Sequence, residues 1–201
     1  MPDLTTAGPL LALVALLSYL LGSIPFGIVI ARLLKLGDLR QIGSGNIGAT
    51  NVLRTGNKAA AAATLLLDGA KGAVAVLAAR WIAGEDAAQL AGFAAFLGHL
   101  FPIFARFRGG KGVATFLGIL LALASPIGLA CCAVWLLTAA LSRISSLSAL
   151  AAAASSSGWM LVFDHSRGLV LSTILTLLVF YRHSANIRRL RTGTEPRIGR
   201  K

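Results

Sequence analysis

An all-α protein that crosses a bilayer about seven times is what this sequence predicts, and three observations carry that reading. Hydrophobic residues make up 56% of the chain and charged residues only 13%, where a water-soluble domain carries about 25% charged residues. Four long stretches, 4–31, 87–105, 112–142 and 144–163, contain no Asp, Glu, Lys or Arg. The basic residues gather in alternate loops. Uncharged apolar runs of about 18 residues read as spanning helices, because a helix satisfies its own backbone where no water can.

The first helix is expected over 9–35. A retained helix fits better than a cleavable signal, since Met1 to Thr6 carries only Asp3 and no basic residue, and the apolar stretch is too long. Two more helices follow over 58–83 and 86–106. The uncharged run 112–142 poses a length problem: as one straight helix it would be about 46 Å long, against a hydrocarbon core of about 30 Å. Ser125-Pro126 lies near its middle, and proline removes a backbone donor and disfavours helix in the residue before it. The run is therefore divided into 112–125 and 126–142. The last two helices are expected over 145–163 and 167–183. The whole chain, 1–201, reads as one membrane domain.

Charge gives the sidedness. Arg32, Lys35, Arg40, Arg54 and Lys58 surround the first loop, Arg106, Arg108 and Lys111 the second, and Arg143 the third. The tail after Tyr181 is rich in arginine, while the opposite loops hold Glu85-Asp86, Ser125-Pro126 and Asp164-His165. Basic loops face the cytoplasm, so the N-terminus is expected outside and the C-terminus inside. The net charge of +12 then reflects this bias and attraction to anionic membrane lipids. No nucleic-acid partner is expected, because no basic-aromatic module is visible. Cys131 and Cys132 are adjacent and lie in an apolar run, which reads as packing rather than a disulfide framework.

Chemistry concentrates in three basic-side stretches. Gly43 to Asn51, GSGNIGATN, precedes Arg54. Its glycines permit a nest of amide N–H groups, with Ser44, Asn46, Thr50 and Asn51 as neutral hydrogen-bonding groups and Arg54 as a bidentate cation. Gly109-Gly110-Lys111-Gly112 opens the fourth helix, where amides and the positive helix end favour a phosphate. It is not a Walker A loop, since glycine follows Lys111. In Tyr181 to Arg189, His183 and Asn186 stand three apart and are expected on one helical face, able to orient a hydroxyl.

Other polar residues read as structural. Asp68 and Lys71, at i and i+3, are expected to pair in the membrane, with a packing or orienting role. His99 is expected to be a hydrogen-bonded interior histidine, and Glu195 a partner for surrounding arginines. Ser145, Ser146 and Ser148 form a polar turn near Arg143. No HExxH, CxxC or G-x-S-x-G pattern is present, so neither a metal nor a cofactor is expected.

Taken together these stretches resemble the bacterial acyl-phosphate:glycerol-3-phosphate acyltransferase family, often called PlsY. The resemblance covers essentially the whole chain. It rests on Gly22-Ser23-Ile24-Pro25-Phe26-Gly27, GSGNIGATN with Arg54, Leu67-Asp68-Gly69-Ala70-Lys71-Gly72, Gly98-His99, GGKGVAT from Gly109 to Thr115, and the tail YRHSANIRRL. The H-x-x-x-x-D pattern of other glycerol-phosphate acyltransferases is absent: His99, His165 and His183 are followed five residues later by Phe104, Val170 and Arg188. The resemblance implies acyl transfer from acyl phosphate to the 1-position hydroxyl of glycerol 3-phosphate, an early step of phospholipid synthesis. It also implies seven helices in the bacterial inner membrane and a site facing the cytoplasm. Ser44, Arg54, Lys111, His183 and Asn186 are the implied catalytic residues, with Asn46, Gly110, Gly112 and Ser146 binding substrate. The upstream enzyme that forms acyl phosphate is a candidate partner.

An activated donor explains why acid–base groups are few: the task is to align two phosphorylated molecules and stabilise developing charge. The family picture lets the donor phosphate take the hydroxyl proton, and His183 is the alternative base. The competing class is a transporter of a small organic phosphate, which should show midplane polar groups and an inverted repeat. Neither is visible beyond Asp68 and Lys71. A structural adaptor would leave the phosphate motifs unexplained.

Overall fold

The computed structural model describes residues 2–199. Ten α-helices appear in chain order: α1 (Gly8–Gly22), α2 (Phe26–Leu33), α3 (Ala49–Leu53), α4 (Lys58–Ala83), α5 (Glu85–Leu100), α6 (Val113–Leu123), α7 (Ser125–Ser142), α8 (Ser145–Val162), α9 (Leu169–Arg182) and α10 (Ser184–Arg191). No strand occurs among the described residues. The bundle is all-helical, as the composition requires of a chain that must satisfy its backbone in lipid. Helix α4 packs on α5 and α6, α1 on α5, α7 on α8, and α8 on α9. Phe96, Phe116, Ile119, Leu120, Met160 and Leu175 fill the centre. Large apolar side chains also cover the outside, Trp81, Leu141 and Leu177 among them, as expected where the surrounding solvent is hydrocarbon.

Several expected helices are broken. The span over 9–35 divides at Ser23, Ile24 and Pro25, where the proline supplies no N–H. Lys71 Nζ donates to the freed Ile24 carbonyl at 2.8 Å. The helix expected to reach 106 ends at Leu100, ahead of Pro102, and the Tyr19 hydroxyl donates to Phe101 O at 2.7 Å. The run 112–142 is divided as expected but two residues earlier, at extended Ala124, so that Pro126 sits in the first turn of α7. Proline is tolerated there because that N–H has no helical acceptor. The last helix stops at Arg182 and turns by 64° into α10.

The bend corrects one expectation. His183 falls at the junction and Asn186 in the next helix, so they do not share a face of one continuous helix.

Four segments are long and apolar enough to cross a membrane: Gly8–Leu33, Lys58–Ala83, Glu85–Ala105 and Ser125–Ser142. The bent pair α9 and α10 adds a fifth. The expected span at 112–125 falls short because α6 has only 11 residues, about 16 Å of helix. It lies inside the bundle, with Phe116, Ile119 and Leu120 fully buried. Its C-terminal carbonyls are taken by Arg80, whose guanidinium donates to Ala122 O at 2.6 Å and Leu123 O at 3.0 Å while pairing with Glu85 at 2.8 Å. Helix α8 is long enough but too rich in serine to pass by composition.

Helices α1 and α5 approach backbone to backbone. A Cβ on Gly98 would collide with Tyr19 O and the Ser23 amide, and one on Gly22 with Ala95 O. Small residues permit this kind of contact in lipid. Gly98→Ala should therefore destabilise the protein by about 1–3 kcal/mol through overpacking. Gly158→Ala, where a Cβ meets nothing within 4 Å, should be neutral or slightly stabilising, since alanine is the better helix former. Thermal midpoints in detergent would test the pair, and equal midpoints for the two variants would contradict the close approach.

Candidate active site

Three loops and the C-terminal tail meet at one end of the bundle around a cavity of about 1270 Å³. The first loop is shaped by Gly43 (φ +53°) and Gly45 (φ +67°). Asn51 is buried and holds the loop from inside: its Oδ1 accepts the Ser44 amide at 3.2 Å and its Nδ2 donates to Leu39 O at 2.8 Å. The Arg54 side chain folds across Gly43, where any Cβ would strike the guanidinium. Ser44, Asn46 and Arg54 thereby line the cavity. Thr50 ties this loop to the third, its hydroxyl 3.2 Å from that of Ser145.

The second loop, 109–112, is gripped from two sides. Arg182 donates to Gly110 O at 3.1 Å and Gly109 O at 2.9 Å, with its guanidinium over the Phe101 ring. The Gly110 N–H donates to His99 O at 3.2 Å. Gly110 was expected to offer that N–H to phosphate. It is instead buried, lies off the cavity lining, and has its amide occupied. The residues of this stretch that line the cavity are Lys111, Gly112, Val113 and Ala114, at the start of α6, where N–H groups lack helical acceptors. Gly112 adopts φ +83° to start the helix.

Lys111 Nζ donates to Asn186 Oδ1 at 2.6 Å. Asn186 Nδ2 in turn donates to Glu195 Oε1, which also accepts the Ser146 hydroxyl at 2.7 Å, while Glu195 Oε2 accepts Arg189 Nε at 2.7 Å. Burial works to raise the Glu195 carboxyl pKa, but the hydrogen bonds from Ser146, Asn186 and Arg189 outweigh it and hold the group below the usual glutamate range. Glu195 is thus the partner of an arginine, as expected, and also the hub joining Ser146 to Asn186. Its rarity, as one of seven acids, was the only sequence signal for that. Arg182 is a second residue missed from the site, since nothing in the sequence separates it from the other arginines of the tail. The Ile198 amide donates to Arg143 O at 2.6 Å, so the tail folds back along the cavity rim.

His183 is buried and its Nδ1 lies 2.8 Å from Val179 O. A carbonyl only accepts, so Nδ1 carries the ring proton and Nε2 is left as an acceptor. Arg189 is neutralised by Glu195 and Arg182 is committed to the second loop. The Arg54 side chain makes no ion pair or hydrogen bond among the described residues, and with Lys111, and Arg197 at the exposed rim, it supplies the positive charge facing the cavity. The lining also has an apolar part, to which Leu65, Leu117, Trp135 and Leu136 contribute. No cluster of three His, Cys, Asp or Glu suited to a metal ion occurs among the described residues.

Fold and cavity together define the class: a helical integral membrane protein whose site joins cationic, hydrogen-bonding residues to apolar ones. The family described as glycerol-3-phosphate acyltransferase matches residues 12–193. A glycerol-3-phosphate acyltransferase of Cereibacter sphaeroides (strain ATCC 17029) is 67% identical over all of both chains. One of Ruegeria pomeroyi is 63% identical, covering 100% of this chain and 99% of the relative. The crystal structure of PlsY (YgiH), an integral membrane glycerol 3-phosphate acyltransferase, in its glycerol 3-phosphate form superposes with a TM-score of 0.89 at 40% identity, covering 94% of this chain and 96% of that one. Its lysophosphatidic acid form gives 0.87 at 39% identity, with 94% and 95% covered. The chain belongs to the glycerol-3-phosphate acyltransferase family.

Lys111 has a pH signature. Burial disfavours its charge and, despite the attraction of Glu195, its pKa is pushed down to about 8. The free enzyme keeps the cation below that pH and loses it as pH rises through about 8. A bound phosphate favours the charged form and moves the transition upward. The kcat/KM profile, which reports the free enzyme, should fall above about pH 8, while the limb in kcat lies higher. Lys111→Arg should lack the kcat/KM limb even if its activity is lower, because arginine stays charged. The same limb in both proteins would assign it to another group.

Proposed function

We propose that this acyltransferase carries a fatty acyl group from acyl phosphate to the 1-position hydroxyl of glycerol 3-phosphate, releasing lysophosphatidic acid and inorganic phosphate. The observation that carries this reading is the convergence of Arg54, Lys111 and the first turn of α6 on a cavity whose lining also includes Leu65, Leu117, Trp135 and Leu136. Such a cavity suits two phosphorylated molecules, one of them bearing a long chain. PlsY, solved in glycerol 3-phosphate and lysophosphatidic acid forms, supports the acceptor and product.

The reaction makes few demands on side chains. The acceptor hydroxyl oxygen attacks the acyl carbonyl carbon, the bond from that carbon to the phosphate oxygen breaks, and phosphate leaves with the electron pair. The hydroxyl proton passes to the donor's phosphate. Lys111 and the amides of Gly112, Val113 and Ala114 hold one phosphate, and Arg54 pairs with the other, so that negative charge developing on the leaving group meets preorganised donors. Ser44, Asn46 and Asn186 position glycerol 3-phosphate. His183 Nε2 accepts from the neighbouring 2-hydroxyl of glycerol 3-phosphate and so orients the acceptor, leaving the proton of the attacking hydroxyl to the donor phosphate. Ser146 holds Glu195, which fixes the amide of Asn186. No cofactor enters these steps.

The chain is read as seven spans in the bacterial inner membrane, with N-terminus outside and C-terminus and site in the cytoplasm. The side asymmetry of arginine and lysine supports this. Helix α6 crosses only because its neighbours shield it. The upstream enzyme that forms acyl phosphate is the partner that supplies donor.

Mass spectrometry of the products tests the donor. Purified protein with acyl phosphate and glycerol 3-phosphate should give lysophosphatidic acid, and acyl-CoA should give little. Comparable turnover with acyl-CoA in the absence of acyl phosphate would reject the donor assignment. For topology, single cysteines would be placed in a background with Cys131 and Cys132 replaced by alanine. Thr192→Cys should react with a membrane-impermeant reagent only from inside and Ser166→Cys only from outside. Both positions are exposed, and labelling from the same side would rule out the seven-span reading.

A further inference from the structure

Asp68, Lys71 and His99 form a buried cluster that the proposed reaction does not use. All three side chains are about 95% buried or more. Lys71 Nζ lies 2.9 Å from Asp68 Oδ1, and His99 Nδ1 lies 3.6 Å from the same oxygen. That nitrogen makes no hydrogen bond among the described residues. His99 was expected to be an ordinary hydrogen-bonded interior residue. Instead its ring is held between a carboxylate and the phosphate loop: a Cβ on Gly110 would collide with His99 Nε2, and His99 O accepts the Gly110 amide. One residue thus touches the loop through both ring and backbone. Asp68 reaches the same region separately, its backbone carbonyl accepting the Thr115 hydroxyl at 2.8 Å in the first turn of α6. Lys71 anchors the arrangement to the break between α1 and α2 through Ile24 O.

We infer that His99 is a positioning residue, held by the Asp68–Lys71 pair beneath Gly110, and that it sets the height of the 109–112 loop and hence the reach of Lys111 into the cavity. The inference rests on the phosphate-handling role proposed above. Three features argue for position over simple cohesion. The pair is already neutral without the histidine. The ring faces the one glycine whose N–H the loop commits to His99. Arg182 pulls the carbonyls of Gly109 and Gly110 from the other side, so the loop is suspended between two holders, and loss of one shifts it.

The experiment separates position from stability. Asp68→Leu with Lys71→Met removes the carboxylate and both charges while keeping volume, an exchange that buried pairs commonly tolerate. The double variant also loses the donor to Ile24 O, so its thermal midpoint in detergent should fall; assayed well below that midpoint, it should bind inorganic phosphate about tenfold more weakly by calorimetry and show an about tenfold higher KM for glycerol 3-phosphate, with kcat less affected. Unchanged phosphate affinity in folded double variant would overturn the inference. A second series asks which ring nitrogen matters. Asn places a donor near the position of Nδ1, and Gln near that of Nε2. His99→Asn should retain most of the phosphate affinity and His99→Gln should not. Rescue by Gln alone would make His99 a direct substrate contact and defeat the positioning role. Wild type that binds phosphate but turns over no acyl phosphate would reject the proposed donor and leave the binding comparison able to judge His99.

Discussion

Backbone carbonyls freed where a helix breaks inside a membrane protein need a donor, because lipid offers none. In this chain the donors are long side chains reaching across from neighbouring elements. Lys71 takes Ile24 O, Tyr19 takes Phe101 O, Arg80 takes Ala122 O and Leu123 O, Arg182 takes Gly109 O and Gly110 O, and the His183 ring takes Val179 O. Each costly polar group is thereby spent on a place where regular structure fails. The breaks in turn create the loops that carry the site. Without Arg182 the loop 109–112 would leave the carbonyls of Gly109 and Gly110 without a donor, at several kcal/mol for each one that is buried.

The same constraint governs the electrostatics. The tail and loops bring Arg54, Lys111, Arg182, Arg189 and Arg197 to one cavity, with Glu195 as a carboxylate that accepts from Ser146, Asn186 and Arg189. Glu195 quenches Arg189 and aligns Asn186, while Arg182 is absorbed by the loop carbonyls. What remains for substrate is the charge of Arg54, Lys111 and the rim residue Arg197, together with the start of α6. Lys111 is half-committed to Asn186, a contact that a phosphate can replace. Desolvation lowers its pKa, so a phosphate that pairs with it gains a cation that has little water to give up. A site built in this way favours reactants that are already activated, since it offers alignment and charge more than proton transfer.

Much of this was readable from the sequence. Apolar runs without charge determined an all-helical membrane protein, and Pro126 placed the break between α6 and α7 within two residues. The motif residues Ser44, Asn46, Arg54, Lys111, Gly112, Ser146, His183 and Asn186 all line a shared cavity, as their common basic side suggested. Hydropathy and steric rules act locally, so a linear reading captures them. The break at Ser23–Pro25 was harder, because a proline inside a long apolar run can also be carried within a helix. Only tertiary structure decided which polar groups are available. Gly110 lies in the phosphate motif, but its N–H belongs to His99 O. Arg182 and Glu195 look like any charge in a basic tail until the bend at His183 turns α10 back over the cavity. Whether a donor faces substrate or another part of the chain depends on contacts between residues tens of positions apart, and composition and spacing carry no record of those distances.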